Sequence, residues 1–177
     1  TPSWELLCSY LCTDGLPIDE SPLFDPRKPF ENRDPRCTAT IVEFGSSWLG
    51  YKYEVHPDTL VVMNYNTGTY VRNTQNRAVD QWATYNGLIL KKYLDESMLG
   101  SFDAENDQII MRYADVLLMY AEAKIELGEI DGSVLNAINK VRARAYGVDV
   151  TATSEYPAVT TTNQSELRRA LRIERRM

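Results

Sequence analysis

Residues 109–127 read IIMRYADVLLMYAEAKIEL, and this stretch decides the fold class. Tyr113, Val116, Leu117, Tyr120, Ala121 and Lys124 fall at the i, i+3, i+4, i+7 spacing of one helical face. Leu118, Met119 and Ala123 widen the apolar side, so the helix should be covered on more than one flank, with Tyr113 and Tyr120 turned into the core. Gly128 supplies a C-terminal stop.

A second helix is expected over 132–146, capped by Asp131, with Val134, Ala137, Ile138, Val141 and Ala145 facing inward. The short connection predicts a helical hairpin, loosely tetratricopeptide-like given Ala121 seven residues before Gly128. After a polar, Thr-rich link over 147–162, Asn163 should cap a third helix to residue 177, with Glu166 as its capping-box partner.

Upstream, 1–108 reads as loop-rich and 109–177 as helical, within a single domain. Residues 3–12 suit a short helix capped by Ser3. Pro17, Pro22, Pro26, Pro29 and Pro35 forbid a long helix over 14–36, yet Leu16, Ile18, Leu23, Phe24 and Phe30 require an ordered loop. Residues 38–44, 51–55 and 60–65 read as short strands from their β-branched and aromatic content. Residues 66–87 read as loop, and 88–94 fit either strand or helical turn. The fold class is therefore mainly α: a hairpin and a third helix, with long irregular loops and a few short strands.

The chain has 177 residues, 44% of them hydrophobic, and a net charge of −6. Residues 140–177 carry 8 Lys/Arg against 4 Asp/Glu, but the acidic remainder argues against nucleic acid as a partner. Cys8, Cys12 and Cys37 make no closed disulfide set, and with one histidine they lack zinc spacing, so they read as small buried groups. No stretch is long and apolar enough to span a membrane, and no leader is visible. Leu6-Leu7-Cys8 lacks the small residues of a lipoprotein cleavage box. The opening Thr1-Pro2-Ser3-Trp4 and the helix still running at Met177 suggest a piece of a longer chain.

Catalytic constellations are sparse. His56, beside Pro57, has no nucleophile signature near it and reads as an exposed loop residue. Asp103, Glu105 and Asp107 alternate like a calcium loop, but Gln108 and Ala114 stand where glycine and a bidentate acid are needed. Asp14, Asp19, Asp25, Asp34 and Asp58 are glycosidase carboxylates by type only. Arg33, Asp34 and Arg36 read as anchors that pin a proline-rich loop by charged forks. Arg112, Asp115, Glu122 and Glu126 form a polar stripe that Arg142, Arg144, Glu174, Arg175 and Arg176 could complete as an ion-pair network between three helices. No cofactor is implied.

The middle segment carries a different chemistry. Trp48, Tyr51, Tyr53, Trp82 and Tyr85 lie among Gly, Asn and Thr, where loops present flat rings to solvent. Such rings stack on sugar faces at low ordering cost, and Asn64, Asn66, Asn73 and Gln75 are placed to read hydroxyls. The competing reading is that these rings fill the core beneath the loops.

Several segments, in order, resemble one family. RYADVLLMYAEAK at 112–124 precedes Asn139-Lys140-Val141-Arg142-Ala143-Arg144-Ala145. Glu166-Leu167-Arg168 leads to Glu174-Arg175-Arg176. Earlier come Pro2, Glu5-Leu6, Asp14-Gly15, Asn32-Arg33-Asp34-Pro35-Arg36, and TYNGLILKKYLDES at 84–97. Together they resemble the SusD/RagB family. The resemblance implies a surface lipoprotein of the outer membrane that captures glycans, or in some members peptides, and serves a SusC-like TonB-dependent transporter. Its contact with the membrane would be only through a lipid anchor outside this chain. It implies no enzymatic activity. A hydrolase using paired Asp/Glu and a helical interaction scaffold are the alternatives.

Overall fold

A computed structural model describes residues 1–94, 96 and 107–177. The order of elements is α1 (Trp4–Ser9), α2 (Arg36–Thr40), β1 (Ser47–Trp48), β2 (Tyr51–Lys52), β3 (Val61–Asn64), β4 (Thr69–Arg72), α3 (Tyr113–Leu127), α4 (Gly132–Tyr146) and α5 (Gln164–Arg176). The chain divides into two compact units. One holds residues 1–7 and 37–107, the other 8–36 and 108–177.

The second unit is the helical one. α3, α4 and α5 pack on one another around Leu118, Ala121, Ile125, Ala137, Ile138 and Leu167. Three expected caps are present. Gly128 ends α3 in the left-handed conformation at φ of 74°, and Gly147, unnamed in the sequence reading, ends α4 in the same way at 71°. Asp131 Oδ1 accepts from Ser133 N at 2.8 Å. Asn163 Oδ1 accepts from Ser165 N and Glu166 N at 3.0 and 3.2 Å. Glu166 departs from the capping box: its carboxylate takes the Thr161 hydroxyl, and that same hydroxyl oxygen accepts from Asn163 N.

Helix α3 corrects two expectations. It starts at Tyr113, four residues later than its apolar pattern suggests. Its buried stripe is Leu118, Ala121 and Ile125, one residue out of phase with Leu117, Tyr120 and Lys124. Tyr113 and Tyr120 are therefore exposed, at 69% and 46%. The helix is apolar on nearly every side, so its periodicity did not fix which face turned inward.

The proline-rich segment is ordered as expected, and arginines hold it. Arg33 is buried; its Nη1 donates to Pro29 O at 2.7 Å and its Nη2 to Tyr10 O at 2.8 Å. Arg36 grips Asp34 with two parallel bonds of 2.8 and 2.7 Å and reaches Glu174 Oε1 at 2.6 Å. Burial works against the Arg36 charge, but the Asp34 and Glu174 carboxylates outweigh it and hold the guanidinium pKa above its ordinary value. Arg142 Nε completes the cluster on Glu174 Oε2 at 2.7 Å. Arg168–Glu126 and Arg175–Glu122 pairs link α5 to α3, so part of the anticipated ion-pair network exists.

The first unit carries the four strands as an antiparallel meander, β1-β2-β3-β4. Trp48 pairs with Tyr51 across a two-residue turn, Leu49-Gly50, with φ of 54° and 80°. Such a turn needs positive φ at both central positions. A side chain at Gly50 would also meet the end of the exposed Asn66 side chain, which would have to move aside. The core beneath the sheet is Val42, Trp48 and Tyr53, backed by Phe44, Leu49, Val55 and Ile89.

Strand placement differs from the sequence reading in three places. Residues 38–44 begin as helix α2, started by Asp34 Oδ1 accepting from Arg36 N at 2.9 Å, and only Ile41 makes a bridge, to Leu90. β1 falls inside a stretch with no strand signal. β4 lies within 66–87, where Asn and Thr hid it. Asp103 and Glu105 of the calcium-like run lie outside the described residues.

Candidate ligand-binding surface

Buried asparagines shape the loops of the first unit. Asn73 and Asn76 are wholly buried in a segment with little regular structure, where backbone groups need side-chain partners. Asn73 Nδ2 donates to Glu54 O and Thr59 O, both at 2.8 Å, while its Oδ1 accepts from Gln75 N. Asn76 Nδ2 reaches His56 O, Pro57 O and Thr59 O at 2.9–3.0 Å, and its Oδ1 accepts from Ala78 N. These two amides fasten residues 73–78 to residues 54–59 and replace the ladder that a longer sheet would provide. Their part in holding the loops went unseen in the sequence, where Asn73 read only as a hydroxyl reader.

Two clefts border this frame. The larger, about 730 Å³, runs along the sheet and is lined by Trp48, Tyr51, Tyr53, Asn66, Asn73 and Gln75 among others. The smaller, about 400 Å³, lies between loops and is lined by Trp4, Gln75, Arg77, Thr84, Tyr85 and Asn86 among others. Neither lining includes Asp or Glu among the described residues.

The structure sorts the five aromatic candidates into different roles. Trp82 and Tyr85 are largely exposed, at 86% and 89%, and Tyr51 is half-exposed at 42%. Trp48 and Tyr53 are corrected: both are core residues, at 6% and 2% exposure, and form the floor of the sheet cleft, not loop rings held out to solvent. Tyr53 stacks beside Phe44 and donates its hydroxyl to Gly87 O at 2.7 Å. Burial raises the Tyr53 pKa to about 12. Lys91 Nζ stands 5.9 Å from the centre of the Trp48 ring.

Among the proposed hydroxyl readers, Asn66, Asn73 and Gln75 line the sheet cleft. Asn64 is a buried turn-former whose Oδ1 accepts from Asn66 N at 3.0 Å. Two further cleft residues escaped the sequence reading. Trp4, 45% exposed, sits in the first turn of α1, far in sequence from the other lining residues. Arg77 lies over the Tyr85 ring, 4.2 Å from its centre, and its Nη2 donates to the Tyr85 hydroxyl at 2.9 Å. An Arg-to-Tyr spacing of eight residues across a loop carries no recognisable pattern.

His56 is exposed as expected, 3.8 Å from Asp58. Cys12 and Cys37 are buried and Cys8 partly so, all free thiols. No described helix is long and apolar enough to cross a membrane.

Comparison with known proteins bears directly on this architecture. No curated protein matches the chain. A solved structure does: a SusD-like carbohydrate-binding protein from Bacteroides fragilis NCTC 9343, 29% identical, superposes with a TM-score of 0.70. That match covers 99% of this chain and 32% of the other, so this chain spans about a third of the length of that relative. The model of the SusD family matches residues 1–177, which takes in the helical unit, the arginine-pinned loop and the cleft-bearing unit alike. The chain belongs to the SusD family.

Proposed function

We propose that this chain is part of a nutrient-capture protein that binds an oligo- or polysaccharide through the loops of residues 45–87. The observation that carries this reading is the exposure of Trp82 and Tyr85, at 86% and 89%, on loops fastened by two buried asparagines. Rings held at that exposure bury little of their surface in the fold, and a flat ring is what a sugar face stacks on. Family membership and the carbohydrate-binding description of the Bacteroides fragilis relative support it. Among the described residues the clefts are lined by amide and hydroxyl groups and by the cations Lys52, Arg72 and Arg77, with no carboxylate, which suits binding over bond cleavage.

In the full-length protein, the capture unit would be lipid-anchored on the outer face of the outer membrane and would pass its ligand to a SusC-like TonB-dependent transporter. The test is a glycan array on the full-length protein, followed by calorimetry with the best ligand. Trp82→Ala and Tyr85→Ala should each weaken binding severalfold without lowering the melting temperature. Unchanged affinity in both would remove these loops from the site. Release of new reducing ends from bound glycan, abolished by one Asp→Asn substitution, would overturn the non-enzymatic reading.

A further inference from the structure

We propose that the loop cleft selects saccharides that carry negative charge, as a uronate carboxylate or a sulfate ester, and that Arg77 is the residue that reads it. This inference rests on the saccharide-binding reading above and names the class of sugar.

The argument begins with how this protein uses its arginines. Arg36, Arg142, Arg168, Arg169 and Arg175 each pair with a carboxylate. Arg77 does not, and neither do Arg27, Arg72, Arg144 and Arg172 among the described residues; what sets Arg77 apart is that it lines the loop cleft with the face and hydroxyl of Tyr85 as its recorded partners. The stack and the hydrogen bond hold the guanidinium in place at the cleft. One Nη2 bond consumes a fraction of its five N–H donors, and the planar fork is pre-organised for two oxygens of a carboxylate or sulfate.

The surroundings favour an anion from outside. The other described residues of the lining are neutral, so among them the Arg77 charge meets no counter-ion. In a chain of net charge −6, Arg77 is an exposed cation at a cleft whose described lining holds no carboxylate. Gln75 and Asn86 on the same lining suit the hydroxyls of the ring that bears the acid, and Trp4 and Tyr85 suit its face.

The experiment is calorimetry on the full-length protein with two matched pairs of probes. One pair is an oligogalacturonide and its methyl ester. The other is a κ-carrageenan oligosaccharide and its desulfated form. The expected result is that at least one anionic member binds about tenfold or more tighter than its neutral partner, with the advantage shrinking as NaCl is raised. The pair that shows it identifies carboxylate or sulfate as the group read. Arg77→Gln should erase the preference while the melting temperature holds, and Arg77→Lys should restore part of it. Equal binding of charged and neutral partners overturns the charge inference and leaves saccharide binding standing. A preference that survives in Arg77→Gln removes Arg77 from the role. Failure of all four probes and of a broad neutral glycan panel to bind overturns the saccharide reading, and this inference with it.

Discussion

Arg142 Nε and Glu174 Oε2 form a 2.7 Å ion pair shut away from solvent, with side-chain exposures of 8% and 0%. Glu174 also accepts from Arg36, so one carboxylate answers two guanidinium groups. Removing it leaves two charges with too little compensation in a poorly solvated place. Glu174→Ala should cost about 3–5 kcal/mol in urea denaturation. A loss below about 1 kcal/mol would show that water reaches the cluster and screens it.

The phase of α3 is testable with two neighbours. Leu118 is 4% exposed and packs in the helical core, whereas Leu117 only borders that core. Leu118→Ala should cost about 2–5 kcal/mol, and Leu117→Ala distinctly less. Equal losses would mean that the helix is rotated from its described position.

Asn76 is the main fastener of the cleft loops. Asn76→Ala withdraws an amide shared by three backbone carbonyls and an acceptor used by Ala78 N. The expected cost is about 2–3 kcal/mol, with faster amide exchange over residues 54–59 and 73–78. Exchange unchanged in those segments would contradict the fastening role.

Trp48 and Trp82 should part company. Trp48→Ala opens a cavity in the sheet core and should cost about 3–5 kcal/mol, whereas Trp82→Ala should leave the melting temperature within a degree or two. A thermal melt of each variant decides it, and the reverse pattern would exchange their roles.

Tyr53 predicts an alkaline weakness. Burial raises its pKa to about 12, above the ordinary value of 10.0, because the neutral phenol is the form the core accepts. The folded state thus holds this proton more tightly than the unfolded chain. The stabilisation is complete below pH 10 and is lost as pH rises from there towards 12, to an extent of up to about 2 kcal/mol. Urea midpoints measured from pH 9 to 12 should fall, and Tyr53→Phe should flatten the fall. An equal slope in the variant would assign it to other groups.

The sequence made the helical unit readable because its signals are local. Asp131, Asn163, Gly128 and Gly147 mark helix ends within a few residues of the apolar pattern they bound. The facing of α3 was not readable, since a helix with apolar residues on nearly every side leaves the choice to its neighbours. The cleft unit was harder for the same physical reason. Two-residue strands such as Ser47–Trp48 have no period to detect, and they exist because a Leu49-Gly50 turn brings Tyr51 back alongside. Trp82 and Tyr85 could be picked out as loop rings, but Trp48 and Tyr53 look the same in one dimension. Arg77 and Trp4 became cleft residues only once distant loops met.

The helical unit is built from two stretches that lie far apart in the chain. Arg36 and its partner Glu174 are separated by 138 residues. The Leu11 N–H likewise reaches Met177 Sδ, 166 residues on, at 3.4 Å. Closure of the helical unit is therefore a long-range step: the entropy of closing the intervening chain is lost before these contacts return any energy, and steps of that kind set a slow folding rate.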